Sequence, residues 1–168
     1  MDEKQDPGAP PIIDGKRFWR TLGERAIGVT VVTAADKNGP AGFLALSAAH
    51  VAADPPTMLC SIDRKTTAIN AVLESKHFAV NILAREHEAL SDAFGSRDPA
   101  KHAARFVGGE WTTLRTGAPI LKAALGAFDC ELDQVIDRGG VIVAIGRVVD
   151  CLAKGDGDPL VFFRGKYR

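Results

Sequence analysis

The sequence predicts a mainly β fold, an antiparallel barrel with peripheral helices. Three observations predict it. Segments with strand character outnumber those with helical periodicity. Several of these strands are joined by tight turns, and Asn38-Gly39 is the strongest short hairpin signal among them. The GxGxxG pattern is absent, which removes the usual warrant for a dinucleotide-binding parallel sheet.

The N-terminus, MDEKQDPGAPPII, is acidic and Pro-rich and lacks the apolar core of a signal peptide. Residues 1–14 are expected to form a flexible arm ahead of a single domain over 15–168. Asp14 is placed to cap a helix from about Gly15 to Ala26. Phe18, Trp19 and Leu22 give that helix an apolar stripe, which assigns Trp19 to core packing, and Gly28 is expected to end it. Val29–Ala34 is β-branched and reads as a strand. The chain turns at Lys37-Asn38-Gly39 and returns from about Ala41 to Leu46. Ala48–Ala53 is rich in small residues and reads as strand or loop. Asp54-Pro55-Pro56 makes an extended corner, because each proline restricts itself and its predecessor. Thr57–Ile62 is a strand.

Ile69, Val72 and Leu73 give a helical pattern within Thr66–Ser75. His77–Leu83 is a strand. Glu86–Phe94 is a helix presenting Leu90 and Phe94 on one face. Gly95–Ala104 is charged and contains Asp98-Pro99, so it reads as a loop with room for a short helix and as the most mobile segment. Phe106–Trp111 is a turn region, and Gly117–Leu121 opens the last third. Ala127–Ile136 alternates as a strand does. Asp137–Gly140 is a turn into a long strand, Val141–Leu152. A loop at Gly155–Asp158 precedes a last strand, Pro159–Phe163.

A chain of 168 residues with 46% apolar and 25% charged residues can build a sizeable core. Its 21 basic and 21 acidic side chains give no balance that recruits nucleic acid or an anionic membrane. No segment approaches the roughly 20 apolar residues of a membrane span. The three cysteines form no CxxC pair and each sits in an apolar run, as small buried hydrophobes do in a reducing cytoplasm. A cytoplasmic location is therefore expected. GxSxG, P-loop and HExxH motifs are absent.

The chemistry concentrates in Ala41–Asn70. Its apolar run Met58–Ile62 leads into Asp63, Arg64, Lys65, Thr66 and Thr67, just before a helix. Guanidinium, ammonium, hydroxyls and the free N–H groups of a helix start make a cradle for phosphate. The competing reading is plain helix capping by Asp63 or Thr66 with solvated basic neighbours, and spacing alone leaves both open. His87 between Glu86 and Glu88 does not make a metal group, because adjacent helix positions face apart. His77 and His102 read as surface residues. His50, among small residues within the same stretch, is open to a structural or a functional reading.

Many short motifs then stand in one order: Gly28–Ala34 (GVTVVTA), S-x-x-x-V-x-x-DPP from Ser47, the D-R-K-T-T loop, Ser75–Leu83 (SKHFAVNIL) and L-S-D-A-F from Leu90. R-F-x-x-x-x-W from Arg105, Gly117–Leu121 (GAPIL), Phe128–Leu132 (FDCEL), Val143–Val148 (VAIGRV) and Pro159–Tyr167 (PLVFFRGKY) follow. From about Phe18 to Tyr167 the chain resembles the flavin reductase-like family. The resemblance implies an FMN-binding split β-barrel, usually a homodimer with FMN or FAD near the subunit interface. It implies hydride transfer from NADH or NADPH to the flavin, and a partner flavin-dependent monooxygenase that uses the reduced product. It places Leu46, Ser47, Ala48, Ala49 and His50 along the flavin ring and ribityl chain. Asp63, Arg64, Lys65, Thr66 and Thr67 would hold the phosphate, the threonines as hydroxyl donors and Arg64 or Lys65 as countercharge. No protein nucleophile is required; His50 is the one side chain considered as a replacement polar contact.

The chain also differs from the family pattern. Leu44-Ala45-Leu46-Ser47 stands where members commonly have T-A-N-S, and Ala49-His50-Val51-Ala52 where T-S-V-S is usual. Ala68 replaces a threonine, and Gly139-Gly140-Val141 replaces a G-D-H turn. Two further readings follow from these changes. One is a flavin-binding protein without free NAD(P)H turnover, such as an electron carrier or flavin chaperone. The other is a scaffold whose leucine-lined pocket takes another ligand.

Overall fold

A computed structural model describes residues 13–102, 104–107 and 109–168. The arm expected over 1–14 therefore lies, for residues 1–12, outside the described residues.

Helix α1 (Gly15–Leu22) starts as expected: the Asp14 carboxylate accepts from the Arg17 N–H at 2.8 Å. It stops four residues before the sequence suggests. Gly23 is the cap residue, two tight turns follow, and Gly28 falls in the first strand, β1 (Ile27–Gly28). The Arg164 N–H bonds Gly23 O at 3.1 Å and the Arg164 guanidinium holds Glu24. These contacts hold the end of the helix, not its apolar face. Phe18 and Trp19 pack edge to face on each other and are 53% and 68% exposed, so Trp19 is not core.

The main sheet is built from β2 (Thr30–Asp36), β3 (Gly39–Ala45), β4 (Ala49–Ala53), β5 (Pro56–Asp63), β6 (His77–Ile82), β9 (Gly126–Arg138) and β10 (Val141–Ala153). Its order is β3-β2-β6-β9-β10-β5-β4 and every pairing is antiparallel. The Asn-Gly signal acts as expected: Asp36 faces Gly39 across a two-residue turn, and Gly39 takes a left-handed φ of 109°. The ambiguous piece after Ala48 is strand β4, turned back at Asp54-Pro55 into β5. A small sheet joins β1 to β11 (Val161–Phe163) and β12 (Lys166–Tyr167), and β7 (Trp111–Thr113) pairs with β8 (Pro119–Leu121). The last expected strand thus begins at Val161, with Pro159 making only an isolated bridge to Ala84.

The two edge strands of the main sheet, β3 and β4, are joined by only Leu46, Ser47 and Ala48. Laid flat, six strand spacings of about 4.8 Å would hold them about 29 Å apart. The linker reaches about 14 Å at full extension. The sheet must therefore curl, and the seam is crossed by chain instead of a β3–β4 ladder. At the seam the Ser61 N–H donates to Ser47 Oγ at 3.1 Å.

Inside the curl lie Val32, Phe43, Met58, Cys60, Ile62, Phe78, Cys130 and Ile142. Helix α2 (Ala68–Ser75) adds Ala68, Ile69, Ala71 and Val72 to this interior. On the outer face Val29, Val31 and Leu83 meet Leu90 and Phe94 of α3 (Glu88–Gly95). A short helix α4 (Pro99–His102) follows, as the charged loop allowed. Asn81 ties the layers: its amide donates to Val31 O, Thr33 Oγ1 and Pro119 O and accepts the Leu121 N–H at 2.8 Å.

Cys60 and Cys130 are buried and burial pushes both thiols up to about 12, whereas Cys151 is exposed, contrary to the sequence reading. It lies beyond the register shift at Val148/Asp150, where β10 leaves the core. The thiolate is the nucleophile, so one thiol per chain is expected to react with Ellman's reagent at pH 8, and three after denaturation. A Cβ on Gly146 would stand 2.6 Å from the Phe78 ring. Gly146→Ala is therefore expected to cost about 1–3 kcal/mol in urea unfolding, and Phe78→Leu to recover part of it.

Candidate functional site

Strand β5 delivers its last residue, Asp63, to a loop that ends at the start of α2. The Asp63 carboxylate accepts the Lys65 N–H at 2.9 Å, and its carbonyl accepts the Thr66 N–H at 2.9 Å. Asp63 therefore organises the loop, but neither it nor Thr66 caps the helix as the capping reading expected, because the N-cap position falls on Thr67. The N-cap residue Thr67 makes no side-chain cap bond, so its hydroxyl is left for another partner. Lys65, Thr66 and Thr67 line a cleft of about 440 Å³ whose apolar floor is Phe43, Leu44 and Phe94.

Arg64 turns away from this cleft. Its guanidinium pairs with the Asp137 carboxylate, and Nε donates to Gly139 O at 2.7 Å. It fastens the loop to the β9–β10 turn. The segment predicted for the flavin ring also lies outside the cleft lining. Leu46 packs on the outer core, Ala48 on the inner one, and Ser47 holds the seam. Ala49 and His50 sit on β4 opposite Leu59 and Met58, and His50 lines a separate cleft of about 570 Å³ with Met58, Phe128 and Cys151. The leucines at 44 and 46 belong to the hydrophobic layer under α3, which accounts for apolar side chains there.

The wall of the cleft that sequence reasoning missed comes from the segment after α3. Arg97, His102 and Arg105 line it together with Gly95 and Ser96. Arg105 is only 7% exposed. Its Nε donates to Ala93 O at 3.0 Å, Nη1 to Gly42 O at 3.1 Å, and Nη2 to Phe94 O and Ser96 O at 3.3 and 2.9 Å. The guanidinium lies 5.7 Å from the centre of the Phe94 ring, itself packed against Phe106 and Trp111. Burial pulls Arg105 below its ordinary value, and no carboxylate pairs with it among the described residues. The carbonyls at the C-terminal end of α3 offset the charge only in part. The available signal was the arginine that opens R-F-x-x-x-x-W directly after a charged loop.

The cleft therefore joins three side-chain cations, Lys65, Arg97 and Arg105, with one carboxylate, three hydroxyls and an apolar floor. That donor set suits a phosphorylated ligand with an apolar body. His87 lies outside the cleft lining and acts in the backbone: Nδ1 accepts the Ala84 N–H at 3.1 Å, and burial lowers its basicity.

A family model described as a flavin reductase like domain matches residues 22–168. The chain belongs to the flavin reductase-like family. The reductase subunit HsaB of a flavin-dependent monooxygenase from Rhodococcus jostii (strain RHA1) is 38% identical over 159 residues, covering 95% of this chain and 80% of that one. The FMN reductase (NADH) RutF of Ancylobacter novellus is 35% identical over 168 residues, covering 99% of this chain and 92% of that one. The solved structure of the flavin reductase PheA2 in its native state superposes with a TM-score of 0.82 at 31% identity, over 93% of this chain and 97% of that chain. The curled antiparallel sheet of this flavin reductase-like chain is the split-barrel architecture that its motifs imply.

Arg105→Met removes four donors from buried backbone carbonyls. The expected result is a loss of about 1–3 kcal/mol in urea unfolding and faster amide exchange over 93–102. Arg97→Met, at an exposed position, is expected to leave both unchanged.

Proposed function

We propose that this protein is an NAD(P)H-dependent flavin reductase that uses NADH or NADPH to reduce FMN or FAD and supplies the product to a partner flavin-dependent monooxygenase. The observation that carries the reading is the cleft where Lys65, Thr66 and Thr67 meet the start of α2 in a chain of this family. The residues present fit a flavin. Cations without ion pairs among the described residues, an unused cap hydroxyl and a floor of Phe43, Leu44 and Phe94 match a phosphate joined to an apolar body.

A bound flavin supplies the hydride acceptor, chemistry that needs no protein nucleophile. Lys65 offers charge to the phosphate, and Thr66 and Thr67 offer hydroxyls beside the N–H groups of the helix start. Phe43, Leu44 and Phe94 keep water from one side of the ligand. The backbone of Leu46–His50, at the seam beyond the cleft, orients the ring. Two copies of the chain pair in this reading, supported by the exposed Phe18 and Trp19, and they act in the cytoplasm. Among the described residues no helix is long and apolar enough to cross a membrane.

The second reading, flavin binding without free NAD(P)H turnover, has one observation in its favour. The turn where the family pattern has G-D-H is Gly139-Gly140-Val141 here, carries no imidazole, and is engaged by Arg64.

Titration with FMN, FAD and riboflavin, followed by NADH and NADPH oxidation, tests both. Binding with turnover is expected; binding without turnover selects the second reading, and no binding refutes both. Lys65→Ala with Thr66→Ala should weaken FMN by about tenfold or more, since charge-assisted bonds contribute about 1.5–3 kcal/mol each. Riboflavin, which lacks the phosphate, should be unaffected, and Arg64→Ala should change neither. Equal loss for FMN and riboflavin would remove the phosphate assignment.

A further inference from the structure

Helix α1 carries an apolar stripe that no described residue covers. At helical spacing Phe18, Trp19 and Leu22 fall on one side, and Lys16, Arg17 and Arg20 on the other. None of the helix residues is buried. Phe18 and Trp19 are 53% and 68% exposed, and Ile13, just ahead of the cap, is 61% exposed. Lys16, Arg17 and Arg20 make no ion pair among the described residues, and with Asp14 they line a groove beside Trp19. Aromatic rings next to unpaired cations suit an occupant that is extended, apolar and acidic.

Residues 1–12 have that chemistry. They carry Asp2, Glu3 and Asp6 against one base, Lys4, and then Pro7, Pro10 and Pro11. Proline-rich segments dock on aromatic side chains at a low entropy cost, because their backbone is restricted beforehand. The same restriction decides whose helix the segment meets. Pro10 and Pro11 favour extended backbone at themselves and their predecessors, and Ile12 and Ile13 are β-branched. Asp14 is extended, at φ −67° and ψ 152°. At about 3.1 Å per residue, residues 9–14 lead about 15 Å away from the helix start. Trp19 lies only about 6 Å along the helix from Gly15. The prolines are thus directed away from their own helix and toward that of another copy.

Area gives a second argument. The exposed parts of Ile13, Phe18 and Trp19 amount to about 400 Å², against about 800 Å² per partner in a stable interface. Two bare α1 helices packed together fall short of that. A reciprocal exchange, in which each copy gives a segment and receives one, about doubles the area and keeps two-fold symmetry.

We infer that residues 1–12 of one copy lie on the Phe18/Trp19 face of α1 in a second copy, with Asp2, Glu3 and Asp6 against Lys16, Arg17 and Arg20. This rests on the pairing of copies proposed above and names the segment and the face that join them.

Carbodiimide cross-linking of the full chain, with nitrogen-14 and nitrogen-15 copies mixed and the linked peptides read by mass spectrometry, tests it. Links from Asp2, Glu3 or Asp6 to Lys16 are expected in peptides of mixed isotope. Links of one isotope only place the segment on its own helix and overturn the inference, as does the absence of any link to Lys16. Sedimentation equilibrium of Trp19→Ser, a change at an exposed position, is expected to show pairing weakened by at least about tenfold. Pairing that is unchanged in that variant runs through another face and also overturns the exchange. A parent chain that stays monomeric at every concentration instead takes down the pairing itself.

Discussion

The short link between the two edges of the main sheet governs the rest of this structure. β3 and β4 are the outermost strands, yet only Leu46–Ala48 separates them in the chain. Strand spacing and the reach of a peptide leave no flat solution. The sheet curls, its inner face becomes one core, and α2 contributes four buried residues to that interior. The Ser47–Ser61 bond marks the seam, and the segment assigned to the flavin ring is the linker itself with the first residues of β4.

The cleft follows from this closure. β5 must end beside β3 for the seam to form, so the loop after Asp63 arrives next to Phe43 and Leu44. α3 covers the outer face of the same strand, and its C-terminal end is drawn to that place by Arg105, which bonds β3 and the helix end at once. A buried guanidinium among carbonyl dipoles is stable only because its N–H groups are nearly all paired. The same arrangement leaves a positive edge on the cleft. Structural anchoring and the positive edge of the cleft are thus properties of one side chain.

Local signals were legible where they arise from neighbours in sequence. The Asn38-Gly39 turn, the Asp14 cap, the Ile69/Val72 stripe and the Leu90/Phe94 face all recur in the structure close to where the residues put them. The errors come from tertiary context. Trp19 has an apolar stripe but no described surface to meet, and Cys151 sits in an apolar run whose strand has already left the core. In the site, the polar loop at Asp63–Thr67 was visible because its residues are adjacent. Arg97, His102 and Arg105 were not, because they come from or directly follow what reads as a mobile charged loop, and Arg105 is fixed at the cleft through backbone carbonyls on β3 and α3 that are distant in sequence.

Sequence by itself determined the strand-rich class, the family, and one wall of the candidate site, because periodicity, turn chemistry and motif order are local or collinear properties. Only the tertiary structure decided which cations share a cleft. Arg64, in the middle of the expected cradle, is drawn off by Asp137 across the β9–β10 turn. Arg105, some forty residues later, hangs from Gly42 and joins Lys65 instead. The physical reason is that a charge settles where the closed sheet offers partners, and those partners are distant in sequence.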